Sequence, residues 1–337
     1  MKKIAWFSFI LILTLSIGAG LMIGCSSDGD DGDDDGGSSG GGISYTGLTT
    51  RVIIDENNAE DIAIRAYQGG SAGSAISGVN AIQAGEDNQD GRSRTLILSR
   101  ALENALYRVD IASISDGDVA YSAMQPHTPE QGNCGGSMSM SFTISVGDET
   151  AFNGNFNFNK YCEYGTTLSG SVSFSGEINP GTGEIMQFSM SFDALTVDSC
   201  IDSFTADGDI HMNSDGSADT ITMDMLMRDN STGKVYRVEN YKMILTGGKD
   251  YIDIDVSGKF YDPDYGYVVL STDKTMRIYD GDDWISRGTL ICTGDIGTRA
   301  RLIVRSSGEY HVDADTDGNG EYDNSTGPMN WSEMKCK

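Results

Sequence analysis

From residue 137 onward, apolar residues alternate with small polar residues at a period of two. The clearest segments place apolar residues at Met138, Met140, Phe142 and Ile144, at Met186, Phe188, Met190 and Phe192, and at Ile221, Met223, Met225 and Met227. Because successive side chains of a strand point to opposite faces, this pattern is typical of strands with one buried face and one face in solvent. Gly-Asp, Pro-Gly, Asp-Gly and Thr-Gly pairs separate such segments at hairpin intervals. The pattern predicts an antiparallel meander of about a dozen strands.

A glycine recurs inside these strands in the pattern apolar-x-Gly-x-apolar. The five occurrences are centred on Gly154, Gly176, Gly208, Gly258 and Gly294. Each glycine falls on the apolar face, where the missing side chain lets a sheet bend or another element approach closely. The recurrence predicts a strongly curved sheet or barrel. The alternative explanation is that glycine is simply abundant, since the chain has 43 of them.

Two segments before residue 137 predict helices. A short strand is expected over 49–54, and Asn57-Asn58 then offers an N-cap for a helix that runs to about Gln68. The pair Gly69-Gly70 is expected to end this helix. From about Ser93 to Val109, apolar residues recur at helical spacing and predict a second helix. The predicted fold class is therefore mainly β: a large antiparallel meander forming a curved sheet or barrel, with two N-terminal helices.

The cysteines predict one disulfide. The chain has six cysteines and no C-x-x-C pair, so zinc, haem-attachment and iron–sulfur sites find no support. Cys134 and Cys162 each lie fourteen residues from Asp148, at the centre of a predicted hairpin. Equidistant residues on antiparallel strands lie opposite each other, so we expect a Cys134–Cys162 bridge. The sequence does not indicate which of Cys200, Cys292 and Cys336 form a second disulfide.

Charge and motifs exclude several functions. The formal net charge is −27, and such an acidic surface is a poor partner for nucleic acid. The three histidines, His127, His211 and His311, show no metal-binding spacing, and no P-loop or dinucleotide fingerprint occurs. A G-x-S-x-G string over 69–73 lacks the preceding strand and following helix of a nucleophile elbow. We therefore predict no catalytic residue.

One acidic segment is a candidate metal site. Its expected ligands are Asp313, Asp315, Asp317, Asn319 and Asp323. Closely spaced carboxylates followed by glycine resemble the calcium loops of EF-hand and dockerin proteins, which implies Ca²⁺ as the cofactor. Asn324 or Thr326 stands where those loops place a bidentate acid. The alternative is a β-hairpin in which Asn319-Gly320 forms a tight turn.

Two further clusters have alternative interpretations. The first combines aromatic and acidic residues at Tyr261, Tyr265, Tyr267, Tyr279 and Trp284 with Asp262, Asp264, Asp280, Asp282 and Asp283. It suits a sugar-binding surface, but cross-strand aromatic pairing explains the same residues. The second is the methionine-rich strand face, which suits a hydrophobic ligand or an irregular core.

The N-terminus predicts export and membrane attachment. Lys2 and Lys3 form a positive n-region, and Ile4 to Leu15 form an apolar core of signal-peptide length. Gly24 directly precedes Cys25 after an apolar run. These residues resemble the signal peptide and lipobox of bacterial lipoproteins, although Met22 departs from the usual leucine.

The resemblance implies a lipid anchor. Cys25 would become the acylated N-terminal residue, carrying the two or three chains, such as palmitate, that stable anchoring needs. Ser26 stands where an aspartate commonly retains lipoproteins at the inner membrane, which implies the outer membrane, on either its periplasmic or its surface face. Residues 28–42 contain only Asp, Gly and Ser and predict an extended tether.

These features predict four regions. They are a signal peptide over 1–24, an acidic Gly/Ser/Asp tether over 25–42, a helix-containing region over 43–136 and the β-meander over 137–337, with the last two forming one domain. The expected function is that of a lipid-anchored, non-catalytic outer-membrane or cell-surface lipoprotein whose β domain binds or scaffolds a cell-envelope partner. The alternatives are a lipid or lipoprotein carrier or chaperone with a Met-lined cavity for a hydrophobic ligand, and an exported hydrolase.

Overall fold

A computed structural model describes residues 42–76, 120–121, 129–145, 150–163, 166–179, 185–198, 203–248, 250–280, 282 and 284–331. They contain one α-helix, α1 (Ala59–Ile76), and sixteen strands of one sheet. The strands are β1 (Ala120–Tyr121), β2 (Glu130–Gln131), β3 (Gly135–Ser145), β4 (Thr150–Glu163), β5 (Thr166–Ile178), β6 (Ile185–Asp198), β7 (Ser203–Ser214), β8 (Asp219–Asp229), β9 (Val235–Gly247), β10 (Tyr251–Asp262), β11 (Gly266–Tyr279), β12 (Arg287–Thr293), β13 (Arg299–Ser306), β14 (Glu309–Asp315), β15 (Asn324–Ser325) and β16 (Met329–Asn330).

The sheet confirms the predicted antiparallel meander. From β3 to β15 each strand pairs with the next one along the chain, while β1 and β2 pair with β3 and β16 pairs with β14. The order is linear, and β1 and β15 stand at its two ends. Among the described strands the sheet is therefore open, so the predicted alternative of a closed barrel is not observed.

The alternating apolar residues form a continuous buried face. In β8, for example, Ile221, Met223, Met225 and Met227 are all buried. Helix α1 packs on this face against β8–β10 and β12–β14. Over these strands the core lies between the helix and the inner face of the sheet, and the other face of the strands meets solvent.

The first predicted helix is confirmed, but its predicted end is wrong. It continues through Gly69-Gly70 to Ile76. Gly69 is buried, and a Cβ atom there would lie 2.7 Å from the ring of Phe260. Tertiary packing against the sheet therefore selects glycine and overrides its low helix propensity. The second predicted helix, Ser93 to Val109, lies outside the described residues.

The strand predicted over 49–54 is reduced to one β-bridge. Arg51 pairs in parallel with Tyr267, and beyond it the segment leaves β11. The carbonyl of Val52 accepts from the N–H of Asp295 at 2.6 Å, and the N–H of Ile54 donates to Oγ1 of Thr298 at 3.0 Å. These bonds to the β12–β13 turn replace the ladder of a regular strand.

Several register shifts interrupt the ladders, and three of them are bulges with an unusual backbone conformation. Lys160, Ala194 and Asn240 are non-glycine residues with positive φ, and each lies at a register shift. Gly170, with φ of 122°, faces the bulge at Ala194, and Gly258, with φ of 131°, faces the bulge at Asn240. Bulges bend a strand and increase its twist, so these pairs curve the sheet.

Two other recurrent glycines lie beneath aromatic rings. In the register of β4 and β5, Gly154 pairs with Phe174 and Phe152 pairs with Gly176. A Cβ atom on Gly154 would lie only 2.4 Å from Cζ of Phe174, and one on Gly176 would lie 2.4 Å from Cζ of Phe152. Each ring thus covers the glycine on the opposite strand, which confirms that close approach fixes glycine at these positions.

The predicted Cys134–Cys162 disulfide is confirmed. The β3–β4 register holds from Ser145 opposite Ala151 to Ser137 opposite Asn159, and it then shifts by one at the bulge. The shift places Cys162 opposite Gly135 and leaves Cys134 adjacent, with 5.1 Å between the two cysteine Cα atoms. Cys292 is a buried free cysteine, and its burial raises the pKa of its thiol to about 12. Cys200 and Cys336 lie outside the described residues.

Replacing Gly258 with alanine should destabilise the domain. An L-residue at φ 131° is strained, and the new Cβ atom would lie 2.6 Å from the carbonyl oxygen of Asn240. We expect a loss of about 2–3 kcal/mol in the free energy of unfolding, measured by urea denaturation. Gly247→Ala is the matched control, because no atom lies within 4 Å of its new Cβ. Equal stability of the two variants would contradict this account of the bulge.

Candidate functional site

The acidic loop connects β14 to β15. Strand β14 ends at Asp315, and the chain returns in β15 with Asp313 opposite Ser325 and Ala314 opposite Asn324. A hairpin therefore forms, but residues 316–323 make a wide loop instead of the predicted two-residue turn. The width leaves room for several acidic side chains at the end of the hairpin.

Three of the five predicted ligands converge in this loop. Carboxylate oxygens of Asp315, Asp317 and Asp323 all lie within 4.8 Å of one another. Asp315 is fully buried, whereas the other two residues are exposed. Its Oδ1 accepts from the N–H of Gly318 at 2.8 Å, and its Oδ2 accepts from the N–H of Gly320 at 2.9 Å. Asp315 thus organises the loop from within.

The other two predicted ligands bind within the protein. Asp313 accepts from the guanidinium of Arg301 at 2.8 Å, while the amide of Asn319 donates to Asp317 at 3.0 Å. Burial acts to raise the pKa of Asp313, but hydrogen bonds from Arg301 and Ser325 outweigh it and lower the pKa. Asp313 is therefore a structural partner of β13. Sequence spacing could not show this, because Arg301 reaches it across the sheet.

The chemistry of the three converging carboxylates suits a hard cation. Oxygen ligands at close spacing are what Ca²⁺ requires, and backbone carbonyls or water complete such sites. Within the described part of the chain, no lysine or arginine forms an ion pair with these three aspartates. The loop thus concentrates negative charge on an already acidic protein.

A cation and a histidine lie next to the loop. The guanidinium of Arg301 lies 3.9 Å from the ring centroid of Tyr322, so Arg301 links the far side of the loop to β13. His311 is 6% exposed, and its Nε2 lies 3.7 Å from Oδ1 of Asp313. Burial lowers the pKa of His311, although Asp313 acts in the opposite direction. Folding therefore disfavours protonation of this imidazole at the base of the hairpin.

The aromatic and acidic cluster is divided among several protein contacts. Tyr261 donates to Glu239 at 2.8 Å and its ring meets the edge of Tyr45. Asp262 is buried and accepts from Arg65 of α1 at 2.9 Å. Trp284 stacks on Trp331 in the core, with ring centroids 5.1 Å apart. These contacts favour aromatic packing over a sugar platform.

The methionine face belongs to the core. Met138, Met190, Met223, Met225 and Met227 are buried, and Met140 and Met186 are half-buried. This placement favours the interpretation of methionine as a filler of irregular space.

The remaining motifs give no catalytic constellation in the described residues. The string over 69–73 lies within α1, without a strand-to-helix elbow. His211 is exposed on β7, where its Nδ1 lies 2.9 Å from Oγ of Ser189. His311 is on β14, and His127 lies outside the described residues.

Sequence reasoning missed two features. The first is the Arg65–Asp262 ion pair, which joins α1 to the end of β10 and has no local signal. The second is the absence of charge at the central outward positions of β3–β5, within 139–143, 153–157 and 171–175, which the alternating pattern could have revealed.

Among the residues that the structure describes, no α-helix combines the length and apolar character needed to cross a lipid bilayer. Comparison of the chain with protein-family models, curated proteins and solved structures found no match.

His311 should make stability depend on pH. Its pKa is lowered on folding from about 6.5, so the unfolded chain binds a proton first as pH falls. This contribution to the free energy of unfolding is therefore full above pH ~6.5 and is lost as pH falls toward the folded pKa. Urea denaturation between pH 7 and 5 should show a shallower decline for His311→Gln than for the wild type. His211→Gln, at an exposed site, should keep the wild-type slope; a wild-type slope in His311→Gln would refute the assignment.

Proposed function

We propose that this protein is a lipid-anchored, non-catalytic lipoprotein of the outer membrane or cell surface whose β domain binds or scaffolds a partner. The observation that carries the proposal is the N-terminal series of positive residues, apolar core, Gly24 and Cys25. Acylation of Cys25 would hold the domain at the membrane through residues 26–42.

The path of the first described residues supports this arrangement. The N–H of Ile43 donates to Asp207 at 3.2 Å, and the N–H of Leu48 donates to the carbonyl of Pro263 at 3.2 Å. Residues 51–54 then follow β11 and reach the β12–β13 turn. The chain from Cys25 thus joins the sheet at the end that carries the β10–β11 and β12–β13 turns. The tether would present the domain by this end.

The core favours a binding or scaffolding role over a carrier. A carrier would need its methionine face to line an open cavity, but five of those methionines are buried among core residues. The exposed side chains on the outer face of the described strands can contact a partner.

Cys25→Ser tests the anchor. We expect the variant to lose metabolic labelling by a palmitate analogue and to move from the membrane fraction to the soluble fraction of envelope extracts, because no thiol remains to be acylated. Ser26→Ala is the matched control and should keep both the label and the membrane fraction. Membrane retention of Cys25→Ser at the wild-type level would contradict the proposal.

We also propose that the β14–β15 loop binds Ca²⁺. The favouring observation is the convergence of Asp315, Asp317 and Asp323 in a loop whose spacing resembles that of known calcium loops. Buried Asp315 would coordinate the ion from the protein side, and exposed Asp317 and Asp323 would coordinate it from the solvent side. Binding would stabilise the folded hairpin, because the unfolded chain has no assembled site.

Calcium should raise the melting temperature of the purified protein. At a free concentration one hundred times the dissociation constant, the gain is about 2.7 kcal/mol, and each kcal/mol corresponds to about 2–4 °C for a domain of this size class. Differential scanning calorimetry with calcium and then with excess chelator should show the rise and its reversal. Asp317→Asn should lose the response, whereas Asp250→Asn, at an exposed site just before β10, should keep it. An unchanged melting temperature would exclude a stabilising site.

A further inference from the structure

The outward side chains of β3, β4 and β5 form a regular uncharged lattice. We call it the neutral array: Ser139, Ser141 and Thr143 of β3, Asn153, Asn155 and Asn157 of β4, and Ser171, Ser173 and Ser175 of β5. The register aligns them in three rows, so that Ser139, Asn157 and Ser171 form one row, Ser141, Asn155 and Ser173 the next, and Thr143, Asn153 and Ser175 the third. The asparagine column thus runs between two hydroxyl columns.

The lattice is continuous because the ladders around it are regular. The β3–β4 register is unbroken from Ser137 to Ser145, and the β4–β5 register is unbroken from Thr150 to Phe158. Neighbouring columns are therefore about 4.8 Å apart, and neighbouring rows about 6.8 Å apart. The bulge at Lys160 lies beyond the last row.

The fold does not explain this composition. Asparagine is depleted in strands, yet β4 places it at three successive outward positions of the array. The outer face of β9 and β10 is different, since Arg237, Glu239 and Lys259 form ion pairs there. An uncharged patch is thus set apart on a protein of net charge −27.

The polar groups of the array are available. All three asparagines, together with Ser141, Ser173 and Ser175, are exposed. Within the described residues, no side-chain hydrogen bond joins any of the nine to the rest of the protein. The array ends at charged neighbours: Asp193 of β6 lies opposite Ser171, and Glu177 is the next outward residue of β5 after Ser175. Further along β6, Ser191 donates to Asp209 at 2.6 Å and Ser189 contacts His211.

This chemistry distinguishes between classes of partner. The array offers no cation to nucleic acid or to anionic lipid. Protein interfaces are depleted in serine, and their hot spots are enriched in Trp, Tyr and Arg, none of which the array contains. Hydroxyl and amide groups both donate and accept hydrogen bonds, as do the hydroxyls of a glycan.

We propose that the neutral array binds an uncharged glycan chain, which gives a ligand class to the binding domain proposed above. Each hydrogen bond contributes only about 0.5–1.5 kcal/mol net, so several rows must be occupied at once. A polymer with hydroxyls at regular intervals satisfies this condition, whereas a single sugar does not. The rigid, unbulged ladders hold the nine groups in place and so reduce the entropy lost on binding.

Depletion isotherms on two insoluble uncharged glycans test the proposal. The full-length protein, purified in detergent, is incubated with microcrystalline cellulose and with chitin, and the unbound protein is measured. We expect saturable retention on at least one of them that changes little at 0.5 M NaCl, because no charge pairs form. Asn155→Asp should weaken retention at least about fivefold, since it replaces a central donor with a negative charge.

Asn213→Asp is the matched control, because Asn213 is an exposed asparagine on β7 outside the array. It should bind as the wild type does, and the melting temperature of each variant checks its folding. Ser173→Asp provides a second test if Asn155→Asp fails to fold. Absence of retention on both glycans, or equal retention by Asn155→Asp and Asn213→Asp, would overturn the proposal.

Sedimentation velocity tests whether this face instead joins two copies of the protein. If the wild type is a dimer that Asn155→Asp dissociates, while neither glycan retains the protein, the array is a contact between copies and the glycan proposal is wrong. None of these measurements depends on the membrane anchor. Failure at the array is therefore distinguishable from failure of the Cys25 proposal.

Discussion

Burial of one continuous apolar face is the constraint on which the rest of this structure depends. A shift of one residue in any strand would turn its core residues to solvent, so the alternating pattern fixes the register of each pair. Helix α1 covers this face over β8–β10 and β12–β14. It is joined to β10 by the ion pair of half-buried Arg65 with buried Asp262, where burial raises the pKa of Asp262 although Arg65 opposes the shift. Removing one partner would leave a buried charge uncompensated.

Because the core uses only one face, the outer face is free to differ from strand to strand. Over β3–β5 it carries the neutral array, and over β9–β11 it carries ion pairs and cation–π contacts such as Arg277 over Tyr251 at 3.5 Å. The charged and aromatic side chains of β9–β11 contact one another, whereas the hydrogen-bond donors and acceptors of the neutral array face solvent or a partner. The same backbone thus supports one surface whose side chains contact one another and another whose polar groups are free to contact a partner.

Local pattern and symmetry determined what the sequence could predict. Alternation gave the meander, and equal distance from Asp148 gave the Cys134–Cys162 bridge despite a one-residue shift at Lys160. The end of α1 was wrong because Gly69 is chosen by its contact with Phe260, which lies far away in sequence. Helix propensity contains no information about such a contact.

The acidic loop likewise combines features that the local sequence predicts with contacts that depend on residues far away in sequence. The closeness of Asp315, Asp317 and Asp323 agrees with their spacing in the sequence, whereas the hydrogen bond of Asp313 could not be predicted because its partner, Arg301, lies on a neighbouring strand. Sequence spacing orders residues along one strand, but the identity of the residue across the ladder depends on register. Bulges that set this register, such as the one at Asn240, have no strong local signal.

Helix α1 and the sheet share one apolar core and should therefore unfold as one cooperative unit. Hydrogen–deuterium exchange of the full-length protein, followed by mass spectrometry, tests this most directly. Peptides from α1, from β4–β6 and from β8–β13 should share the slowest exchange and become exchangeable together as denaturant is added. Fast exchange of α1, or exchange of β4–β6 at much lower denaturant than β8–β13, would contradict it by showing separate units.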